Sequence, residues 1–430
     1  MKAFIIAGVV VPLLSAAPVV AVPAAAPLVV SPEKVGLSRE RLAIIGTVLR
    51  AEIEKGRLPG AVLLVARKGK IAYFESFGFL DKAAGIPMVK DAIFRAASMT
   101  KPWVSVLAMM LSEEGQLQLG DTLSKYLPSL KGLQVSVAGR DANGAVTYTT
   151  VAAEREATIQ DLLRHTSGFA YDFVTKNVAV KEAYEKAGLT LDTIRGLTPA
   201  EEVERFSKVP LAYQPGTMWE YSYAVDILGR VLEVVTGTRL STALDTRLFR
   251  VLGMKDSGFS VPKEKAGRIA QPLAGPDATP NTAFDPTIEP KNDSGGGGGL
   301  TTTMDYFVFA QMLLQGGQYG GRRLLSPTTV ALMTADQLGT RIPAPFGPGE
   351  VIMRTPGYTF GLGFAVREKP GISSVPGSAG EFLWGGASGT FFWVDPKEEL
   401  VVVFMSQAPG PGRFAARRLV KALVTQTIVE

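Results

Sequence analysis

Ser98-Met99-Thr100-Lys101, continuing into Pro102-Trp103-Val104-Ser105-Val106-Leu107-Ala108-Met109-Met110-Leu111, sets a hydroxyl and an amine three residues apart at the head of a long apolar run. On a helix that spacing puts both groups on one face, so the lysine can hold or accept the serine's proton. Ser-x-x-Lys activates serine without histidine, and this 430-residue chain has a single histidine. The run is apolar on nearly every side, which predicts a buried helix. It closes at Ser112-Glu113-Glu114-Gly115, where glycine suits a helix C-terminus. Pro102 is tolerated in a first turn, so the helix begins close to Ser98, near the positive end of its dipole. The plain alternative for the tetrapeptide is a serine cap with a surface lysine. Ser31-Pro32-Glu33-Lys34 and Ser260-Val261-Pro262-Lys263 share the spacing but run into Gly36 and Gly267 instead of an apolar helix.

Composition narrows the chemistry around this pair. The hydrophobic share, 46%, supports a large globular core, and the length suits roughly two or three lobes. The 45 basic and 40 acidic residues leave a net charge of +5 without a basic run, so no nucleic-acid footprint is present. The absence of cysteine excludes disulfides, thiol catalysis and zinc–thiolate sites. A lone His165 argues against a histidine-rich metal centre, and no cofactor is expected. After Met1-Lys2, residues Ala3 to Val30 carry no charge, but Pro12, Pro18, Pro23 and Pro27 interrupt them and small residues crowd their second half. That pattern predicts a signal peptide over residues 1–26, cleaved within 17–26, and an exported chain, periplasmic or secreted. No other segment is long and apolar enough to cross a membrane.

Outward from Ser98 the two chain ends mirror each other. Ser38 caps an amphipathic helix running to about Lys55, followed by a strand from Gly60 to Ala66, a turn at Arg67-Lys68-Gly69-Lys70 and a strand from Ile71 to Phe77. Near the C-terminus, Thr390 to Val394 and Leu400 to Met405 read as strands around a turn at Asp395 to Glu399, and Gly412 to Thr427 as a last helix. The middle reads mainly as helices and loops: Ile159 to Arg164, Pro199 to Ser207, Ala224 to Thr236, Ser241 to Leu252 and Thr303 to Gln315. Leu133 to Thr150 is the exception, with Asp141-Ala142-Asn143-Gly144 as a hairpin tip. The glycine run Ser294 to Leu300 is either a flexible linker or a close-packed loop. Capping threonines and Asp305 directly after it favour the loop, and without a Lys-Ser/Thr ending it is no phosphate loop. The expected architecture is α/β plus all-α. An antiparallel sheet built from both chain ends and flanked by helices (27–95 and 291–430) holds an inserted, mainly helical domain (96–290).

Four segments then fall into one order: Ser98-Met99-Thr100-Lys101, Leu163-Arg164-His165-Thr166-Ser167-Gly168, Trp219-Glu220-Tyr221-Ser222-Tyr223, and Trp384-Gly385-Gly386-Ala387-Ser388-Gly389-Thr390. Together they resemble the serine β-lactamase/penicillin-binding-protein superfamily and, within it, the family VIII carboxylesterases that share the class C β-lactamase fold. The resemblance spans about 35–430. It implies Ser98 as acylated nucleophile, Lys101 as the partner sharing its proton, and Tyr221 as general base and proton donor to the leaving alcohol. It also implies an oxyanion hole at the backbone N–H groups of Ser98 and Ala387, each donor of a kind worth a few kcal/mol in such sites. Free tyrosine and lysine titrate near ~10 and ~10.4, and a neighbouring cation or burial can bring either to act at neutral pH; the sequence does not choose between them. Gly385 and Gly386 are expected to let substrate approach the strand backbone.

The chain departs from the β-lactamase pattern in two motifs, and in the later one Gly385 also replaces a threonine. Trp384 stands where a basic residue or histidine helps bind a carboxylate, and Tyr223 stands where an asparagine grips an acylamino group. Trp384, Gly385, Gly386 and Tyr223 are therefore expected to form an apolar substrate wall for short-chain neutral esters. A β-lactamase, a D-alanyl-D-alanine peptidase or an amide hydrolase of the same fold is the alternative. No Gly-x-Ser-x-Gly elbow is present, which argues against a triad with His165, and the resemblance implies that the His165 segment shapes a loop. Asp226 is either an orienting residue behind the site or a polar face residue. Cavity walls are expected from loops around 130–155, 170–195 and 340–360.

Overall fold

The computed structural model describes residues 27–191, 193–273 and 284–430; the predicted signal peptide lies outside the described residues. In chain order the helices are α1 (Arg39–Glu54), α2 (Thr100–Glu113), α3 (Ile159–Leu163), α4 (Val178–Lys186), α5 (Pro199–Phe206), α6 (Ala224–Thr236), α7 (Leu240–Leu244), α8 (Arg250–Leu252), α9 (Thr303–Leu314), α10 (Pro327–Met333), α11 (Pro348–Met353) and α12 (Gly412–Thr425). The strands are β1 (Gly60–Arg67), β2 (Lys70–Asp81), β3 (Ile86–Pro87), β4 (Phe94–Arg95), β5 (Gln134–Arg140), β6 (Val146–Ala152), β7 (Leu300–Thr301), β8 (Gln318–Tyr319), β9 (Arg322–Arg323), β10 (Tyr358–Phe360), β11 (Ala365–Arg367), β12 (Phe382–Gly385), β13 (Phe391–Asp395) and β14 (Leu400–Ser406).

Eight strands form one antiparallel sheet in the order β10-β11-β12-β13-β14-β1-β2-β3. Its centre is the pairing of the first strand with the last, Leu63 opposite Phe404, so the two chain ends close the sheet as expected. Every residue of β1, β13 and β14 is buried, which explains their unbroken apolar runs: both faces are covered. Adjacent residues of β13 show by what. Phe392 packs on Tyr306 of α9, 4.9 Å between ring centres, while Lys421 of α12 sits 4.6 Å above Trp393. Consecutive side chains leave a strand on opposite faces, so α9 and α12 cover opposite sides. α1 packs alongside α12.

Between β4 and β7 the chain supplies α2 to α8 and the β5–β6 hairpin. All twelve residues from Thr100 to Leu111 are buried, which is why α2 is apolar around its whole circumference. β4 and β7 pair, Phe94 with Thr301 and Arg95 with Leu300, and so bring the segment entering Ser98 alongside the glycine run. The stretch read as one helix from Ser241 to Leu252 is α7 and α8 joined by a π-helical turn, Asp245–Phe249.

Candidate active site

Ser98 lies in a 3-10 turn, Ala97–Met99, that feeds directly into α2. Ala97 has φ +48°, a left-handed conformation that costs a non-glycine residue of order 1 kcal/mol and gathers at functional sites. Thr100 locks this turn in place: its hydroxyl donates to Ala97 O at 2.7 Å and accepts from Gly299 N at 2.8 Å. Lys101, one turn into α2, is buried. Its ammonium donates to Gly296 O at 2.7 Å and Tyr171 Oη at 3.0 Å, and reaches Ser98 Oγ at 3.4 Å. A buried ammonium needs such partners to remain in the protein.

Tyr221 comes from the irregular segment ahead of α6. Its hydroxyl is 2.6 Å from Ser98 Oγ, and Lys101 Nζ sits 4.6 Å from its ring centre. The hydroxyl of 98, amine of 101 and phenol of 221 therefore share one site. The phenol ring is held edge-on by His165 at 5.0 Å and Trp384 at 5.3 Å. Ser98, Tyr221, Gly385, Gly386 and Ala387 all line a cavity of about 770 Å³, within the size range of small-molecule sites. Ser98 and Ala387, whose backbone N–H groups the resemblance assigns to the oxyanion hole, both line this cavity.

Sequence reasoning missed Tyr171, whose hydroxyl accepts from Lys101. Burial, with Tyr221 and Asp226 nearby, pushes its phenol well above 10, so it stays protonated. The only signal for it was its place three residues past Gly168, in the same loop as His165. Asp226, left open between two roles, is buried behind the glycine run. Its Oδ1 accepts from Ser294 Oγ at 2.6 Å and Gly296 N at 3.0 Å, and Gly296 O in turn receives the Lys101 ammonium. The glycine run is thus a close-packed loop and not a linker. A Cβ on Gly296 would overlap Asp226, and one on Gly299 would meet Thr100 and Trp103 at 2.6 Å.

Trp384 is fully buried behind Tyr221 and Phe360 and is absent from the cavity lining; it is a backing residue rather than a wall. Gly385 and Gly386 do line the cavity, yet the neighbour demanding their small size is the protein. A Cβ would meet the Arg417 guanidinium at 2.9 Å in one case and overlap Ala96 O in the other. Tyr223 lines the cavity but is buried against Tyr171, Tyr184 and Phe206, with its hydroxyl 3.5 Å from Asp172. His165 is enclosed, its Nδ1 3.1 Å from Ser222 Oγ. Burial, with Lys101 nearby, pushes its pKa well below 6.5, so the ring is neutral and packs as an aromatic plate.

The cavity walls also differ from expectation. Segments 171–176, 191–196 and 345–354 contribute, but the β5–β6 hairpin does not; residues 284–291 and the start of α12 take its place. Aromatic and aliphatic side chains such as Phe173, Met218, Ile288 and Phe346 share the wall with Arg195, Arg354 and Arg413. Neutrality of the substrate therefore does not follow from the missing cation at 384. Among the described residues no cluster of His, Asp and Glu could hold a metal ion, and no helix is long and apolar enough to cross a membrane.

With the geometry in view, comparison with known proteins agrees on the fold and the broad chemistry. The family described as Beta-lactamase matches residues 45–426. Protein Rv1367c of Mycobacterium tuberculosis (strain ATCC 25618 / H37Rv) is 34% identical over 372 residues, covering 84% of this chain and 88% of that protein. Esterase EstB of Burkholderia gladioli is 30% identical over 393 residues, 86% of this chain and 91% of the esterase. Among solved structures, EstCE1, a hydrolase with promiscuous acyltransferase activity, superposes with a TM-score of 0.72 at 24% identity, over 91% of this chain and 99% of its own.

Proposed function

The chain belongs to the beta-lactamase family, as an esterase-like serine hydrolase, and on that premise we propose that it is a carboxylesterase working through an acyl-enzyme on Ser98. The observation that carries this reading is the Ser98 hydroxyl lying 2.6 Å from a phenol and 3.4 Å from a buried ammonium in the lining of the cavity. Ser98 Oγ attacks the ester carbonyl. Its proton passes to the adjoining Tyr221 oxygen and Lys101 amine, 2.6 and 3.4 Å away. The N–H groups of Ser98 and Ala387 receive the developing oxyanion. Tyr221 returns the proton to the departing alcohol, leaving an acyl group on Ser98. Water then attacks with the same pair as base, releasing the acid.

Lys101 needs to be held still for this, and Gly296, fixed by Asp226, and Tyr171 supply that hold. Tyr223 in place of an amide weighs against acylamino substrates, so esters are preferred over β-lactams and D-alanyl peptides. We place the mature chain outside the cytoplasm, on the strength of residues 1–26. The test is direct. A fluorophosphonate probe is expected to label Ser98, and Ser98→Ala to lose p-nitrophenyl butyrate hydrolysis to background. Full turnover in that variant would end the proposal.

A further inference from the structure

The first turn of α12 carries Arg413 and no acidic residue. A cation at a helix N-terminus is disfavoured by the helix dipole, so this placement does nothing for the helix. Four residues on, Arg417 lies on the same face. It is spent structurally, donating to Gly386 O, to Thr390 O at 3.1 Å and to Ile352 O at 2.8 Å. Arg413 sits one turn further out, about 5.4 Å along the axis, and lines the cavity. Among the described residues its guanidinium makes one hydrogen bond, to Gly410 O 2.6 Å away. Arg354, just after α11, shares the same ring: the two guanidiniums lie over Phe414, at 4.5 and 4.2 Å from the ring centre. Among the described residues neither has a carboxylate partner. The charged neighbours of Arg413 include Arg354 and Arg417, both cations. The acids that line the cavity belong to other segments, 220–226 and 285–289.

Two guanidiniums without a carboxylate partner among the described residues thus share Phe414 at the cavity wall, with Arg413 one helical turn beyond Arg417, which holds Gly386 O next to Ala387. Planar guanidinium forks match carboxylate geometry, and a shared aromatic plate fixes both. We propose that Arg354 and Arg413 bind a carboxylate of the substrate, so that the preferred substrates are esters bearing an anionic group near the scissile carbonyl. This rests on the esterase reading above and deepens it. The cation missing from position 384 is replaced in space by cations from α12 and the end of α11.

The test compares p-nitrophenyl hemiglutarate with its neutral methyl ester, which shares the same skeleton. The ratio of kcat/KM, anionic over neutral, is expected to fall at least tenfold in Arg413→Gln and further in the Arg354→Gln/Arg413→Gln double variant. Arg413→Lys should recover part of it, and added salt should lower the wild-type ratio. A ratio that stays within twofold across these variants would overturn the proposal, since a merely structural arginine would depress both esters alike. Should the wild type turn over neither ester, the esterase reading fails by itself, and binding decides the present proposal. Glutarate should raise the Tm of the wild type and not of the double variant; equal shifts in both would overturn it.

Discussion

At the scale of single residues the site is a matter of contacts between side chains that carry little signal alone. Ser98 and Lys101 are legible because helical spacing joins them. Tyr221 is legible because its motif falls in a recognisable order. Tyr171 is not, because a tyrosine in an aromatic segment looks like core until its hydroxyl is found on an ammonium. Trp384 shows the converse error: a residue expected at the wall is packed behind the phenol. Removing one hydroxyl tests the central contact. Tyr221→Phe keeps the ring against His165 and Trp384, so the Tm should hold within a few degrees while kcat for a butyrate ester falls about 10²- to 10⁴-fold. A retained rate would take Tyr221 out of the proton path. His165 offers the contrasting case. Its ring is already neutral below pH 6.5, and its backbone φ is +57°, which asparagine tolerates. His165→Asn should therefore lower stability yet leave the pH–rate profile unchanged in shape; loss of an inflection near neutrality would assign it a proton-transfer role.

At the scale of elements, the glycine run from Ser294 to Leu300 does what no helix or strand could do there. It passes between α2 and α6 closely enough to offer a backbone carbonyl to Lys101 and an N–H to Asp226. Glycine composition suits linker and packed loop alike, and the sequence favoured the loop only through the capping threonines and Asp305 that follow it. Its neighbours Thr100, Trp103 and Asp226 come from distant parts of the chain and settle the matter. Gly296→Ala should displace the carbonyl, costing about 1–3 kcal/mol of stability and lowering kcat more than it raises KM. Normal kcat in a variant with reduced Tm would leave the loop a packing role alone. Asp226→Asn, which preserves shape, is expected to be milder on both measures. α4 was not legible, since only Val180 and Tyr184 of its nine residues are buried, too few to show a period. α1 and α9 were legible because Ser38 and Thr302 cap them; α6 and α12 lack a side-chain cap and show in their apolar positions.

At the scale of the whole molecule, buried charge links the inserted segment to the glycine run. Glu202 of α5 accepts from Asn292 at 2.7 Å and faces Arg230 of α6 at 3.5 Å; burial pushes its pKa up to about 7. An acid with a raised folded pKa favours the folded state below its unfolded value, near 4.5, and loses that contribution as pH rises through about 7. Wild-type Tm should therefore fall, relative to Glu202→Gln, by a few degrees between pH 5 and pH 8. A difference that shrinks with rising pH would mean that the Arg230 pairing outweighs burial. The sheet and its covering helices were readable because local rules suffice: strands buried on both faces must be uniformly apolar, and hairpins and caps announce their own turns. The linear chain by itself thus determined the layered architecture, the pairing of its ends and the two residues, Lys101 and Tyr221, that meet at Ser98. The cavity wall was decided by tertiary structure alone. Arg413 and Arg354 are ordinary surface-like arginines in sequence, and the charge of a pocket is the sum over side chains that distant segments bring together, a sum no local spacing records.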